Sequence, residues 1–344
     1  MTSRDLVLAA LKGEQTGRVP VLSVCQHATY EQMDRFDAYW PEAHGDGRKM
    51  ADLAAGGYEA LGFDAVRVPF CQTNEAEVLG AVLKKGGRNI IPSIDIHPYK
   101  IGEEVLIPED FLERGCIPGL LQAVRILKAR LGGEIAVMAG ITGPFSIATS
   151  LLGTPPMLKT SYKNPAAVRP YIEAGEKVGT LLAKALLEAG ADIIVVEDMM
   201  ASMDMISPKI YRELVAPYEQ RQFAQIPAPV IVHICGAVDP IMPEIARTGA
   251  AAISVEHRVD VAAVRKRFQD EGITTPIIGN IDPVKVLCQA DPESVNAAVR
   301  QAVGAGIGIV SPGCAIAPDT PTGNLLAMVA AARSQQQGGD NNEP

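Results

Sequence analysis

Eight short runs rich in Val and Ile, at residues 19–24, 64–69, 135–141, 192–197, 230–235, 252–256, 276–280 and 307–311, constrain this chain more than any other feature. They do not alternate apolar with polar residues, which is how strands covered on both faces read. Helical patterns separate them. One covers residues 166–189, opened by Asn164-Pro165 and stopped by Gly190. Another covers 292–303, opened by Asp291-Pro292 and closed by Gly304. Eight strands alternating with helices predict an α/β protein, a (β/α)8 TIM barrel. A doubly wound sheet is the alternative, but no glycine-rich phosphate fingerprint follows the first run. A helix over residues 3–11 precedes the barrel. Residues of roughly 76–110 fit the repeat poorly and read as a hairpin insertion after the second strand. Residues 1–334 are expected to form one barrel domain, and the polar tail 335–344 to be disordered.

Bulk properties narrow the function. At 344 residues and a formal net charge of −9, the chain is a poor match for nucleic acid. No apolar stretch approaches the ~20 residues that span a bilayer, and the N-terminus carries charge where a secretory segment is apolar. A cytoplasmic protein with no membrane partner is expected. The six cysteines lack the close, regular spacing of a disulfide framework. Cys25, Cys71, Cys116 and Cys288 read as reduced thiols with no role in chemistry. His27, His44 and His97 sit among polar, turn-like neighbours without a partner motif.

The chemistry concentrates at the strand ends. The fifth run closes Val-Ile-Val-His233-Ile-Cys235-Gly236, and the eighth is followed by Pro312-Gly313-Cys314. On a strand, residues i and i+2 point to one side, so His233 and Cys235 can reach one metal ion. Cys314 completes a His-Cys-Cys set if the strand ends meet. Three protein ligands with one open position form the pattern of a catalytic zinc. A buried histidine with two small apolar thiols is the alternative. Glu197 and Asp198 end the fourth run, Glu256 and His257 the sixth, and Asn280 and Asp282 the seventh. All fall on the rim where barrel enzymes gather their catalytic groups. Glu256 is a candidate fourth ligand or a partner orienting His233, with a surface salt bridge as the alternative. Asp198 is read as a helix cap or a site acid, and Asp282 first as a helix cap.

At these residues the chain resembles the uroporphyrinogen decarboxylase superfamily. Within it, the chain is similar to the corrinoid-linked, zinc-dependent methyltransferases, the group that includes the methylcobamide:coenzyme M methyltransferases. The matching segments include Gly140-Ile-Thr-Gly-Pro-Phe-Ser146, Ala191 to Asp198, Val232-His-Ile-Cys-Gly236, Ser254-Val-Glu256, Gly279-Asn-Ile-Asp-Pro283 and Pro312-Gly-Cys314. The resemblance implies zinc held by His233, Cys235 and Cys314. From their places on the rim, Glu256 and Glu197 are the expected catalytic groups, and Asp198, Asn280 and Asp282 the expected cofactor contacts. The methyl group would pass between a corrinoid and a small molecule at zinc: a thiol, tetrahydrofolate, or a methyl-ether or amine donor. No Asp-x-His-x-x-Gly corrinoid segment is present, so the corrinoid is expected on a partner protein docking at the barrel mouth. The decarboxylases grip their substrate's carboxylates with arginines after the first strand. Here residues 23–30 carry none, and Ala315 replaces a glycine frequent in the methyltransferases. A decarboxylase-type lyase and a non-catalytic zinc-containing binding protein are the competing readings.

Overall fold

The computed structural model describes residues 1–335. The strands are β1 (Ala65–Val68), β2 (Val82–Lys84), β3 (Ser93–Ile96), β4 (Ala136–Thr142), β5 (Ile193–Glu197), β6 (Val230–His233), β7 (Ala252–Ser254), β8 (Ile277–Ile281) and β9 (Ile309–Pro312). Seven pair in parallel in the order β1-β4-β5-β6-β7-β8-β9. The antiparallel pair β2–β3 is the hairpin inserted after β1. The first expected strand is reduced to a single parallel bridge, Val21 to Val310. Its backbone still joins both edges of the sheet. Leu22 N–H donates to Val310 O at 3.0 Å, Val310 N–H to Pro20 O at 2.9 Å, and Asp64 N–H to Val21 O at 2.7 Å. The ladder is short because Pro20 has no N–H to give. In addition, the Val21 N–H goes to the Asp64 carboxylate (2.9 Å) and the Val24 N–H to Ser311 Oγ (3.3 Å).

Side-chain alternation divides the sheet into two worlds. Leu22, Val24, Ala65, Ala136, Met138, Ile193, Val195, Ile231, Ala252, Ile278 and Ile309 form one apolar cluster inside the ring. Val7, Ala10 and Leu11 of the helix Ser3–Leu11 join that cluster and plug the N-terminal end. The intervening residues, among them Val66, Val137, Ile194, Val196, Val232 and Val310, pack outward against the helices. One step beyond the apolar layer, the inward positions turn polar: Arg67, Glu197, His233, Ser254 and Ser311, all buried. The barrel is therefore oily at its base and charged at its mouth.

Asp64, fully buried, is the clasp at the base. It takes both Arg18 guanidinium arms (2.5 and 2.7 Å), the Ser3 hydroxyl (2.6 Å) and the Val21 N–H. The helices follow their local signals. Arg169–Ala189 begins later than expected because residues 165–167 form a 3-10 turn, and it ends at Gly190 with φ 115°. Pro292–Gly304 is capped by Asp291, whose side chain accepts the Ser294 N–H at 2.8 Å. Among the described residues, no helix is long and apolar enough to cross a membrane. Of the expected disordered tail, Gln335 is described and accepts the Val19 N–H at 3.2 Å; residues 336–344 lie outside the described residues.

Two histidines depart from expectation. His27 and His44 are not in polar turns but in an aromatic cluster. His27 meets Phe63 and Phe70 edge-on, and His44 stacks near Trp40 at 5.2 Å. His97 alone of the three is exposed, with Nδ1 2.7 Å from Ser150 O. Burial lowers the pKa of His44 to about 4, and neither ring nitrogen has a partner. The folded state thus keeps the ring neutral where the unfolded chain would charge it. Stability from this group is complete above about pH 6.5 and is lost as the pH falls toward 4. Replacing His44 with Phe should reduce the stability lost between pH 7.5 and 5 by about 2 kcal/mol, read from urea midpoints of both proteins at both pH values. An equal loss in both proteins would refute this account. Asp64→Ala should cost about 3 kcal/mol in the same assay at pH 7.5, because it strands Arg18 and the Val21 N–H.

Candidate metal centre at the barrel mouth

The ends of β6 and β9 meet over the barrel axis. His233 Nε2 lies 3.1 Å from Cys235 Sγ, and Cys235 Sγ lies 3.5 Å from Cys314 Sγ. His233 is fully buried, and its Nδ1 is held 3.0 Å from Ser254 Oγ, the inward residue of the next strand. That contact turns Nε2 toward the sulfurs. The two sulfurs share one hydrogen bond in which either can be the donor. That bond pushes the pKa of Cys235 up and holds that of Cys314 down. In a tetrahedral site with zinc–sulfur bonds of about 2.3 Å, neighbouring sulfurs stand about 3.8 Å apart and a nitrogen stands about 3.6 Å from each. The observed spacings lie a few tenths of an ångström inside those edges. Two thiols, an imidazole oriented by a serine hydroxyl and spacings near tetrahedral edges fit Zn²⁺ in both chemistry and size.

A fourth soft donor stands in the same place. Cys25 Sγ, a nitrogen of His233 and Cys314 Sγ all lie within 4.8 Å of one another. The sequence reading set Cys25 aside as an incidental thiol. All six cysteines are free, as expected, but this one belongs to the cluster. Its position after the first strand was a usable signal, since that is the rim where the other candidates gather.

The remaining candidates divide into those facing the mouth and those that do not. Glu197 points inward, where Arg67 and Gln72 both donate to its carboxylate. Arg67 also donates to Pro69 O, and its burial lowers its pKa to about 10. The sequence reading missed Arg67. A lone charge within Ala-Val-Arg67-Val, in phase with interior Ala65, was the sign available. Asp198, one residue after Glu197, faces the opposite way. It accepts from Phe145 N–H (3.2 Å), Ser146 N–H (2.7 Å) and the Ser146 hydroxyl (2.6 Å) at the start of the helix Pro144–Leu152. Desolvation raises its pKa to about 6 despite those bonds. Both groups need glycine opposite them. A Cβ on Gly140 would sit 2.5 Å from Arg67 Nη2, and one on Gly143 would sit 2.3 Å from Asp198 Cβ. The Gly140-Ile-Thr-Gly143 motif is thus the space left for two buried charges.

Glu256 accepts the Gly236 N–H and stands 3.7 Å from His257 Nδ1. It bridges the loops after β6 and β7 beside the thiols. Asp282 caps the turn after β8 through Val284 N–H and Lys285 N–H (2.9 Å each), with its other oxygen 3.4 Å from His257 Nε2. Asn280 Nδ2 reaches Val259 O at 3.4 Å. Asn280, Asp282 and His257 line a cavity of about 410 Å³ shared with Ala298 and Ala302 of an outer helix; no cysteine lines it.

The Arg67–Glu197 pair is buried on both sides. Arg67→Leu should destabilise the protein by about 3–5 kcal/mol, because Glu197 keeps its charge without its main partner. Adding Glu197→Leu should restore most of that loss. Urea unfolding of both variants checks this, and a double variant no more stable than the single one would count against it.

The uroporphyrinogen decarboxylase (URO-D) family matches residues 2–335 of this chain. The chain is 34% identical over 331 residues to methylcobamide:CoM methyltransferase MtaA of Methanosarcina barkeri, covering 96% of this chain and 97% of that protein. It is 32% identical to the methylated-thiol–coenzyme M methyltransferase of Methanosarcina mazei, covering 97% of this chain and 89% of the relative. A solved methyltransferase from Methanosarcina mazei superposes with a TM-score of 0.92 at 33% identity, covering 96% of this chain and 98% of that one. By fold, by strand-end motifs and by these relatives, the chain belongs to the uroporphyrinogen decarboxylase family, on the side of its corrinoid-dependent methyltransferases.

Proposed function

We propose that this protein is a zinc-dependent methyltransferase that moves a methyl group from a corrinoid, carried on a partner protein, to a small-molecule thiol. The observation that carries this reading is the convergence of one imidazole and two thiols from separate strand ends, at spacings near those of a tetrahedral site. His233, Cys235 and Cys314 would hold the metal. Bound there, zinc lowers the pKa of an entering thiol and keeps its sulfur nucleophilic.

The protein's own groups prepare that site. Ser254 fixes the His233 ring, so its Nε2 needs no reorientation. Glu256 ties down the backbone just after Cys235 through the Gly236 N–H. Beneath them, Glu197 is neutralised by Arg67, so the floor of the mouth adds little net charge to the thiolates. Asp198 anchors β5 to the neighbouring helix rather than facing a substrate, and Asn280 and Asp282 are offered as contacts for the corrinoid side of the mouth. The relatives' names carry the choice of a thiol over tetrahydrofolate, an ether or an amine. A decarboxylase reading is disfavoured. Arg67 is already spent on Glu197 and Pro69 O, and residues 23–30 hold no arginine to clamp a polycarboxylate.

Cys235→Ala and Cys314→Ala should each drop bound zinc from one per chain toward zero. Each should cut methyl transfer from methylcobalamin to 2-mercaptoethanesulfonate by at least about 100-fold. Metal analysis and thiol-consumption rates on the purified proteins test this. Undiminished transfer in both variants would overturn the proposal.

A further inference from the structure

The Cys235 sulfur is carried by a turn that no strand ladder holds. Pairing of β6 with both of its neighbours stops at His233, two residues short of the thiol. The loops after β5 and β7 grip residues 235–237 instead. From the first, Met203 N–H donates to Ala237 O at 3.1 Å, and the Asp204 carboxylate accepts the Ala237 N–H at 3.3 Å. From the second, Arg258 reaches to the same carboxylate, with Nη1 2.8 Å from Oδ2 and Nη2 3.3 Å from Oδ1. Gly236 lies against that carboxylate. Its φ is 77°, and a Cβ on it would stand 2.2 Å from Asp204 Oδ2. The turn after Cys235 is therefore shaped to let this ion pair cross it.

We infer that Asp204 and Arg258 are positioning residues for the metal centre, a strap that fixes the turn from Cys235 to Ala237 and with it the direction of the Cys235 sulfur. The inference rests on the zinc reading above and goes beyond it to what orients one of the ligands. The Asp204 and Arg258 side chains are 43% and 50% exposed. An ion pair in that setting contributes little to global stability, because water screens it. Its effect is local: one carboxylate is held by the guanidinium of one loop while it holds the backbone of another. The Arg258 guanidinium, helped by the Ala237 N–H, keeps the Asp204 carboxyl below the usual carboxylate range, so the pair stays ionised at neutral pH. The strap therefore answers to salt rather than to protons. Glu256 grips the Gly236 N–H separately, so losing the strap loosens the turn without unfolding it.

Zinc release from the full-length, zinc-loaded protein into a colorimetric chelator tests this, with wild type, Asp204→Ala and Arg258→Gln compared at about 0.05 M and about 0.5 M sodium chloride. Wild-type release should quicken about 10-fold at the higher salt. Both variants should release zinc about 10-fold faster than wild type at low salt and respond little to added salt. The double variant should be no faster than either single one, because the two residues act as a unit. Amide exchange in a peptide spanning Gly236 and Ala237 should quicken in both variants, with and without zinc, while urea midpoints stay at the wild-type value. Release and exchange at wild-type rates in both variants would overturn the strap while leaving the zinc centre standing. Faster release matched by a fall in the urea midpoint would do the same, since the role would then be general stability. Wild-type protein that binds no zinc would overturn the zinc reading and this inference with it.

Discussion

Asp64 holds the ring shut, and what happens at the mouth depends on it. A barrel strand ordinarily keeps its neighbours by a ladder of backbone bonds. Residues 19–24 have almost none, because Pro20 withholds a donor and the Val21 and Val24 N–H groups go to side chains. The buried Asp64 carboxylate takes the place of that ladder. It gathers Arg18, Ser3 and Val21, and so ties the first segment, the plugging helix and β1 into one unit. Through that unit Cys25 and Gln26 are carried to the opposite end of the barrel, where they meet the Cys314 loop.

The mouth is built by extending the same alternation that builds the core. A residue two positions past an interior Ala or Ile also points inward, so the last inward layer is set by where each strand stops. Here that layer is Arg67, Glu197, His233, Ser254 and Ser311. Placing ionic groups in such a layer costs desolvation, and each is matched. Arg67 answers Glu197 and Ser254 answers His233, while Asp198, facing outward, is answered by the helix start at Phe145 and Ser146. Gly140 and Gly143 supply the room. The same matching leaves the thiols as the candidate reactive groups of the rim, since the acids nearby are already engaged.

Much of this was legible beforehand. Seven of the eight expected barrel strands, and their parallel sense, followed from apolar runs too continuous for a one-faced sheet; the first run forms only a single bridge. The pairing of His233 with Cys235 followed from a spacing of two at a strand end. Asp282 and Asp291 could be read as caps from the proline after each. What was not legible has a common cause. Cys25 follows interior Val24 by one residue, so strict alternation turns it outward. Only a bend at residues 24–25 brings its sulfur back to the axis. Glu197 and Asp198 looked like a pair of acids, but adjacent residues on a strand face opposite ways, and the two serve different buried partners. His27 and His44 have polar sequence neighbours, yet their spatial neighbours are Phe63, Phe70 and Trp40.

The amino-acid sequence by itself determined the barrel, the rim on which the candidate groups gather and three of the candidate sulfur and nitrogen donors. Those depend on period, strand length and i, i+2 spacing, all properties of neighbours along the chain. The tertiary structure decided which rim residues converge: that Cys25 stands beside the candidate donors, that Arg67 consumes Glu197, and that Asp198 and Asp282 hold helix starts. These depend on distances between segments far apart in sequence, such as Cys25 and Cys314, which only closure of the ring brings together.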